Sequence, residues 1–393
     1  MSGRAEAAQR RTPPASDGST RERWRIGAEG RALVLVTAAL VAFGLAVLYS
    51  ASEYAAVQAG RSGSYYLLRQ VAGIGLGIVC FAAAAKIDAE RWSQWAWPLM
   101  WLTLGLMLLT VLPFTQSIAP RIHGSRRFLF GASVQPSELG KIVVVVWSAM
   151  LVVRKGSALR RLTKGVLPFV VVVGTMDLLV TLEPDLSTAM LYTLLAAVVL
   201  FAGGVRIGHF IVIGALAVPL LWHKAERLQY VMLRAHSYWD PGKAPERIAY
   251  QLKQSLVAVG SGGLLGVGFG RGWQQFGFLP FPFNDFIASN IGEEWGFLGL
   301  AALTGAFALY GWLGLRIARA ARTPFQQLLA VGLTTATAMN AYLHIGVVIG
   351  LLPTTGLTLP FISYGRSSLI LSLLSTGILV NIGSARERVR AGR

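Results

Sequence analysis

Three acidic residues lie close together in an otherwise apolar stretch of the chain, LPFPFNDFIASNIGEEWGFLG, at 279–299. An isolated charge at the centre of a bilayer costs at least ~3 kcal/mol, so acids in such a stretch are candidates for function. Asp285 follows two prolines, and a helix can begin at the apolar residues after it. Glu293 and Glu294 lie about two turns further in. An aspartate that caps the helix, with two acids facing a wet groove, explains the same spacing equally well.

A second group of polar residues lies at 126–141, ahead of and within the start of another apolar window. It contains two arginines, a glutamine before a first-turn proline, and an acid and a lysine on one helix face: Arg126, Arg127, Gln135, Pro136, Glu138 and Lys141. Residues three apart on a helix are neighbours, so the last two could form a purely structural pair. Beside Asp285, the same charges would form a vestibule at the outer face.

Two further interruptions of the apolar pattern are informative. At 183–188, EPDLST contains Asp185, which could be a turn cap or part of a site. At 350–368, GLLPTTGLTLPFISYGRSS contains two prolines and predicts a non-helical re-entrant segment. Such backbone is tolerated at membrane depth only inside protein or beside a water-filled cavity. We expect Asp285 to border that cavity and include Ser363 among the residues that contact substrate.

The elements that must position these residues are membrane helices. Hydrophobic residues make up 54% of the 393 and charged residues 14%, which is typical of a polytopic membrane protein. The sequence predicts an all-α fold of about ten transmembrane helices. The apolar windows lie at 32–51, 65–85, 92–114, 136–153, 165–181, 187–204, 208–223, 286–315, 325–350 and 367–384. The single cysteine, Cys80, excludes an intrachain disulfide.

The distribution of basic residues predicts that both termini are cytoplasmic. We expect a disordered basic cytoplasmic tail at 1–31 and a basic cytoplasmic tail at 386–393, on either side of a transmembrane domain at 32–385. The net charge of +18 then reflects membrane topology and some affinity for anionic lipid. Because the basic residues are dispersed among membrane spans, nucleic-acid binding is not expected.

A long outer loop is predicted at 224–285, between the seventh and eighth helices. Its length indicates a functional or partner-bound segment, and it contains Arg234. Residues 250–259 fit an amphipathic interfacial helix. A GxGxxG-like glycine spacing follows, but no βα unit surrounds it, which argues against a dinucleotide site.

Five sequence blocks resemble those of the SEDS family (shape, elongation, division and sporulation), which contains the RodA and FtsW peptidoglycan polymerases. The blocks are QPSELGK (135–141), EPDLSTA (183–189), YQLKQSLVAVGSGGLLGVGFG (250–270), LPFPFNDFIASNIGEEWGFLG (279–299) and GLLPTTGLTLPFISYGRSSL (350–369). They occur in the order typical of the family, over about 35–385. The last block and YSAS at 49–52 are closer to the FtsW branch.

The resemblance implies a glycosyltransferase of the bacterial cytoplasmic (inner) membrane that polymerises lipid II, an undecaprenyl-diphosphate-linked disaccharide pentapeptide, at the outer face. The position that matches the family's essential aspartate is Asp285. Inversion at the anomeric carbon needs one carboxylate base and positive charge for the departing diphosphate. We expect Asp285 to be that base, Glu293 and Glu294 to support it, and the cations near the diphosphate to be Arg126, Arg127, Lys141 and Arg234.

The resemblance also implies partners and leaves alternatives open. A class B penicillin-binding protein would supply transpeptidation, beside other division or elongation proteins. Mg²⁺ or Mn²⁺ could accompany the substrate diphosphate. The chain departs from the usual family residues in having Phe128 for Trp, Ala288 for Phe, Ser187 for Gly and Arg366 for Gly. A lipid II flippase, or a non-enzymatic scaffold for division proteins, would also suit many helices with intramembrane charges.

Overall fold

The computed structural model describes residues 20–120, 126–129, 134–223 and 246–390. Within these ranges it contains eleven α-helices joined mostly by short turns. They are α1 (Ala28–Gln58), α2 (Tyr65–Lys86), α3 (Arg91–Val111), α4 (Pro136–Lys155), α5 (Leu167–Leu182), α6 (Leu186–Ala202), α7 (Ile207–His223), α8 (Glu246–Ser261), α9 (Ile287–Arg319), α10 (Pro324–Val348) and α11 (Arg366–Ile382). Between α4 and α5 lie a 3₁₀ turn, Gly156–Arg160, and a π-helical turn, Leu162–Val166.

Ten of these helices coincide with the ten predicted apolar windows, and the all-α membrane fold is confirmed. Seven spans in the described residues are long and apolar enough to cross a bilayer, and they contain α1 to α5, α9 and α10. The apolar helices α6 and α11 are shorter, at 17 residues each. Helix α4 lies at the centre of the bundle, and its residues from Ile142 to Met150 are all buried. A helix that is apolar on all sides is suited to such a position.

The alternation of the helices gives the bundle two ends. At one end, β1 (Thr20–Ile26) pairs with β2 (Ser384–Arg390) in an antiparallel ribbon. The backbone N–H of Gly27 donates to the carbonyl of Gly383 at 3.3 Å, so the two strands start from adjacent points. The strand β1 thus lies within the tail at 1–31, for which the sequence analysis expects disorder. We call this end the ribbon end and the opposite one the site end.

The predicted outer loop contains an ordered helix, α8, that packs against α9 and α10. The Ser255 hydroxyl is fully buried there, 2.8 Å from both the Ser289 hydroxyl and the Val348 carbonyl oxygen. Tyr250 and Leu256, by contrast, are exposed. The expected amphipathic helix at 250–259 is thus part of α8, and its polar centre anchors it to the bundle.

Helix α9 changes direction at Gly296, whose φ of 63° is unfavourable for other residues. Here the backbone of 262–268 lies directly against that of 292–298. A Cβ on Gly266 would lie 2.2 Å from the Glu294 carbonyl oxygen, so the approach requires glycine. The glycines after α8 therefore serve this close packing, in agreement with the argument against a dinucleotide site.

Candidate active site

Asp285 lies in a turn at the site end, two residues before the first residue of α9. Its side chain is half-buried, and its Oδ2 atom is 3.8 Å from the position that a Cβ on Gly356 would occupy. Asp285 thus faces the segment 350–365, as the sequence predicts. The N-cap position of α9 is Phe286, one residue after Asp285.

The segment 351–365 is non-helical, as the sequence predicts. Buried polar side chains of two helices bind its backbone. Asn340 Nδ2 donates to the Thr358 carbonyl at 3.0 Å, and Gln70 Nε2 donates to the Ser363 carbonyl at 3.0 Å. His344 Nδ1 lies 2.7 Å from the Leu357 carbonyl oxygen. These contacts satisfy backbone groups that would otherwise be costly to bury in a membrane protein.

Ser363 holds this segment against the turn that contains Asp285. Its hydroxyl donates to the Asn284 carbonyl at 2.7 Å and accepts from the Leu359 N–H at 2.9 Å. The backbone N–H of Tyr364 also donates to the Phe283 carbonyl at 3.0 Å. Ser363 is only 3% exposed. The structure therefore favours a role for Ser363 in positioning Asp285 over the predicted contact with substrate.

Glu293 and Glu294 are almost fully buried and bind the segment that precedes Asp285. The Glu293 carboxylate accepts hydrogen bonds from the backbone N–H groups of Trp273, at 2.8 Å, and Gln274, at 3.2 Å. The Glu294 carboxylate accepts from the Ser50 hydroxyl of α1. Both glutamates thus connect the kinked helix α9 to its surroundings. These contacts agree with the predicted supporting role and leave Asp285 as the partly exposed acid of the stretch.

We expect Glu293→Gln to destabilise the protein by about 1–3 kcal/mol, because an amide offers one acceptor oxygen to two buried N–H groups. The midpoint of thermal unfolding in detergent micelles would measure this. Glu29→Gln is a suitable control, since Glu29 pairs with Arg316 at 3.0 Å while partly exposed, and such pairs contribute little. Equal midpoints of thermal unfolding for the two variants would show that the hydrogen bonds of Glu293 do not stabilise the fold.

The first two turns of α4 contain a buried ion pair. Lys141 Nζ lies 2.7 Å from Glu138 Oε1, and the side chains are 8% and 10% exposed. Pro136 begins the helix, where its missing N–H has no cost. The side-chain amide of Gln135 donates to the Ser137 hydroxyl at 3.1 Å. The structural pair weighed in the sequence analysis is therefore present, and the positive charge of Lys141 is compensated.

Arg127 is bound by the turn between α5 and α6. Its Nε donates to the Glu183 carbonyl at 2.9 Å, and a second nitrogen donates to the Pro184 carbonyl. A third contact joins its Nη1 to Asp185 Oδ2 at 3.6 Å. Asp185 also caps α6, because its Oδ1 accepts from the Thr188 N–H at 3.2 Å. The turn-cap interpretation of Asp185 is thus confirmed, together with an ion pair.

The same turn contains an acid that the sequence analysis did not select. Glu183 is 2% exposed, and its Oε1 accepts from the Thr110 hydroxyl. Burial raises the pKa of Glu183 to about 8, although the hydrogen bond from Thr110 opposes this shift. The raised pKa makes Glu183 easier to protonate than an ordinary glutamate, while Asp185 forms the ion pair with Arg127. The sequence feature that could have pointed to Glu183 is an acid at the end of an apolar run, directly before Pro184.

The first turn of α11 connects the Asp285 region to α4. The Thr358 hydroxyl donates to the Ser368 hydroxyl at 3.0 Å, and the adjacent Ser367 hydroxyl accepts from the Gln135 N–H at 3.1 Å. The structure thus brings most of the predicted site residues to the site end. Arg126 lies further out, where its Nη1 donates to the Leu112 carbonyl at 3.2 Å. Arg234 lies outside the described residues.

The described residues contain no group of three or more His, Cys, Asp or Glu side chains that could hold a metal ion. The participation of Mg²⁺ or Mn²⁺ stays a prediction, and the ion would enter with the substrate diphosphate.

Comparisons with known proteins agree with this architecture. Residues 31–388 match the family of FtsW, RodA and SpoVE, which is described as "cell cycle protein". The chain is 36% identical over 366 residues to a "probable peptidoglycan glycosyltransferase FtsW" of Trichlorobacter lovleyi, covering 93% of this chain and 95% of that protein.

Two solved structures have the same fold. One, titled "Structural coordination of polymerization and crosslinking by a peptidoglycan synthase complex", contains a chain with a TM-score of 0.72 and 26% identity, covering 90% of this chain and 97% of its own. The crystal structure of the rod shape determining protein RodA of Thermus thermophilus has a TM-score of 0.65 and 25% identity, covering 90% and 95%.

Proposed function

Because the chain belongs to the FtsW, RodA and SpoVE family of peptidoglycan glycosyltransferases, we propose that it polymerises lipid II into glycan strands, with Asp285 as the general base. The observation that carries this proposal is the position of Asp285. Of the three acids in its stretch, it is the partly exposed one, and it lies in a turn bound to the re-entrant segment. A hydroxyl of a sugar at the site end could reach it, whereas Glu293 and Glu294 are 1% and 2% exposed.

The reaction would be a single displacement. Asp285 accepts the proton of the acceptor hydroxyl while that oxygen attacks the anomeric carbon of the donor sugar. The bond between this carbon and the diphosphate breaks, so an α-linked donor gives a β-1,4-linked product and a free lipid diphosphate. No covalent glycosyl-enzyme intermediate is needed. A positioned base contributes about 10²–10⁴-fold to the rate, and positive charge near the diphosphate stabilises the leaving group.

The proposed location is the bacterial inner membrane, with both termini in the cytoplasm and the site end at the outer face. In this orientation Asp285 meets the lipid-linked sugar outside the cell. The ribbon end, where the arginine-containing strands β1 and β2 pair, would face the cytoplasm. The resemblance to FtsW favours a role in cell division, with a class B penicillin-binding protein as the transpeptidase partner.

Cysteine labelling tests this orientation. In a Cys80→Ala background, we expect Ser62→Cys to react with a membrane-impermeant maleimide added outside spheroplasts, and Ser157→Cys to react only after lysis. Both serines are exposed, and they lie at the site end and the ribbon end respectively. The reverse pattern would contradict the orientation.

A polymerisation assay tests the function. The purified protein, alone and with its class B penicillin-binding protein, would be incubated with lipid II in detergent or nanodiscs. We expect glycan polymer that a muramidase digests, and a comparison of the two reactions shows whether the partner is required. No polymer under either condition, from protein that is folded and partner-bound, would instead favour a scaffold or a transporter.

A further inference from the structure

A cluster of arginines and tyrosines lies at the site end, where α2 and α11 begin. The guanidinium carbons of Arg61 and Arg69 lie 4.2 and 5.2 Å from the ring centre of Tyr65. Arg69 Nη1 also donates to the Tyr65 hydroxyl at 2.8 Å. Both arginines are exposed. The ring of Tyr65 therefore holds two guanidinium groups at the protein surface.

This cluster is continuous with the turn that contains Asp285. Tyr66 packs on Phe283 at 4.6 Å and on Tyr364 at 5.1 Å between ring centres. Phe283 precedes Asp285 by two residues, and its carbonyl accepts the Tyr364 N–H. A series of packed aromatic rings thus connects the arginines to the turn that contains the candidate base.

Arg366, the largest departure from the family pattern, lies in the same cluster. It begins α11, and its Cγ would be 3.2 Å from a Cβ on Gly73 of α2. The absence of a side chain at Gly73 therefore leaves space for the stem of Arg366. Burial raises the pKa of Tyr364, and the positive charges of Arg69 and Arg366 both oppose this shift. Two guanidinium groups thus act on one phenol beside the Asp285 turn.

The charge balance distinguishes this cluster from the cations of α4. Lys141 and Arg127 are paired with Glu138 and Asp185. In the described part of the chain, Arg61 and Arg69 form no ion pair with a carboxylate. Arg61 and Arg69 therefore differ from Lys141 and Arg127, each of which binds a carboxylate.

We propose that Arg61, Arg69 and Arg366, with Tyr65 and Tyr364, bind the diphosphate of a lipid-linked sugar. The proposal deepens the proposed function and rests on it. A transfer between two lipid-linked chains needs room for two lipid diphosphates around one base. The first turn of α11 contacts α2 through Arg366 and the start of α4 through Ser367, so one diphosphate could bind on each side of it. Arginine forks bind phosphate oxygens in pairs, and tyrosine rings pack well against a sugar. The cluster would hold one of the two substrates while Asp285 accepts the proton.

Equilibrium binding to protein in phosphatidylcholine nanodiscs tests this site, with lipid II and undecaprenyl diphosphate as the probes. An Asp285→Asn background prevents turnover during the measurement. We expect the double variant Arg61→Gln/Arg69→Gln and the variant Arg366→Gly to bind both probes about tenfold or more weakly. Arg366→Gly introduces the residue usual in the family, so it should fold. The matched control is Arg316→Gln at the ribbon end, where an arginine also lies over a ring, 4.9 Å from Trp312.

Unchanged affinity in the cluster variants, or an equal loss in the Arg316 control, would overturn the site. Loss of the arginine dependence when phosphatidylglycerol is added to the discs would show a general site for anionic headgroups and would also overturn it. Binding does not require turnover, so failure of the proposed function is recognised separately. Arginine-dependent binding without polymer from the wild type would retain the site and reject the polymerase.

Discussion

Replacement of Asp285 by asparagine is expected to abolish detectable polymerisation of lipid II. Asparagine keeps the size of the side chain but cannot accept the proton of the acceptor hydroxyl, and a positioned base contributes about 10²–10⁴-fold. Asp285 is half-buried in a turn held by backbone contacts of Phe283 and Asn284, so the fold should persist. The measurement is the initial rate of polymer formation by purified protein, with thermal unfolding as a check on folding.

Two variants define the specificity of this effect. Asp285→Glu retains the carboxylate but moves it by about one bond length, and it should keep a low, measurable rate. Glu53→Gln removes an exposed acid at the same end of the bundle and should leave the rate within about twofold of the wild type, as expected for a surface substitution. A near wild-type rate for Asp285→Asn would reject Asp285 as the base.

The second large effect is expected from the buried pair of Glu138 and Lys141. Lys141→Ala leaves the Glu138 carboxylate buried without its partner, which costs roughly 3–5 kcal/mol. Turnover should fall as well, but that loss alone cannot separate folding from chemistry. Lys141→Arg should rescue only partly, because a planar fork replaces a compact ammonium group.

The double variant Glu138→Gln/Lys141→Met separates the two roles. Removing both charges should restore most of the stability, since no unpaired charge stays buried. If Lys141 also stabilises the leaving diphosphate, the polymerisation rate should stay low at restored stability. Recovery of both stability and rate would show that the pair is purely structural. Thermal unfolding and initial rates on the same preparations would measure this.

The sequence predicts the membrane architecture well because each span must be long, apolar and internally hydrogen-bonded. Because of this constraint, polar or helix-breaking residues inside an apolar window are easy to recognise in the sequence. Asp285 and the re-entrant segment at 350–365 interrupt apolar windows, and the structure places them together. The turn at Asp185 is likewise found where the apolar run breaks, with the expected cap.

Features that depend on contacts between distant segments are not visible in local patterns. The ribbon pairs residues 20–26 with residues 384–390, far apart in the sequence, and neither strand has an apolar alternation that predicts it. The kink at Gly296 results from close packing against 262–268. In the sequence, Arg61 and Arg69 are simply basic residues near the start of a helix. Their position beside the Asp285 turn depends on the packing of Tyr66 on Phe283 in the folded protein.

We expect this chain to form glycosidic bonds at its site end and not merely to move lipid II. The most direct test uses sealed proteoliposomes that contain the purified chain, the proposed class B penicillin-binding protein and labelled lipid II, assayed at once for polymer and for movement between leaflets. We predict muramidase-sensitive polymer with the wild type, none with Asp285→Asn, and no movement of lipid II in either. Movement of lipid II without polymer, unaffected by Asp285→Asn, would contradict the account.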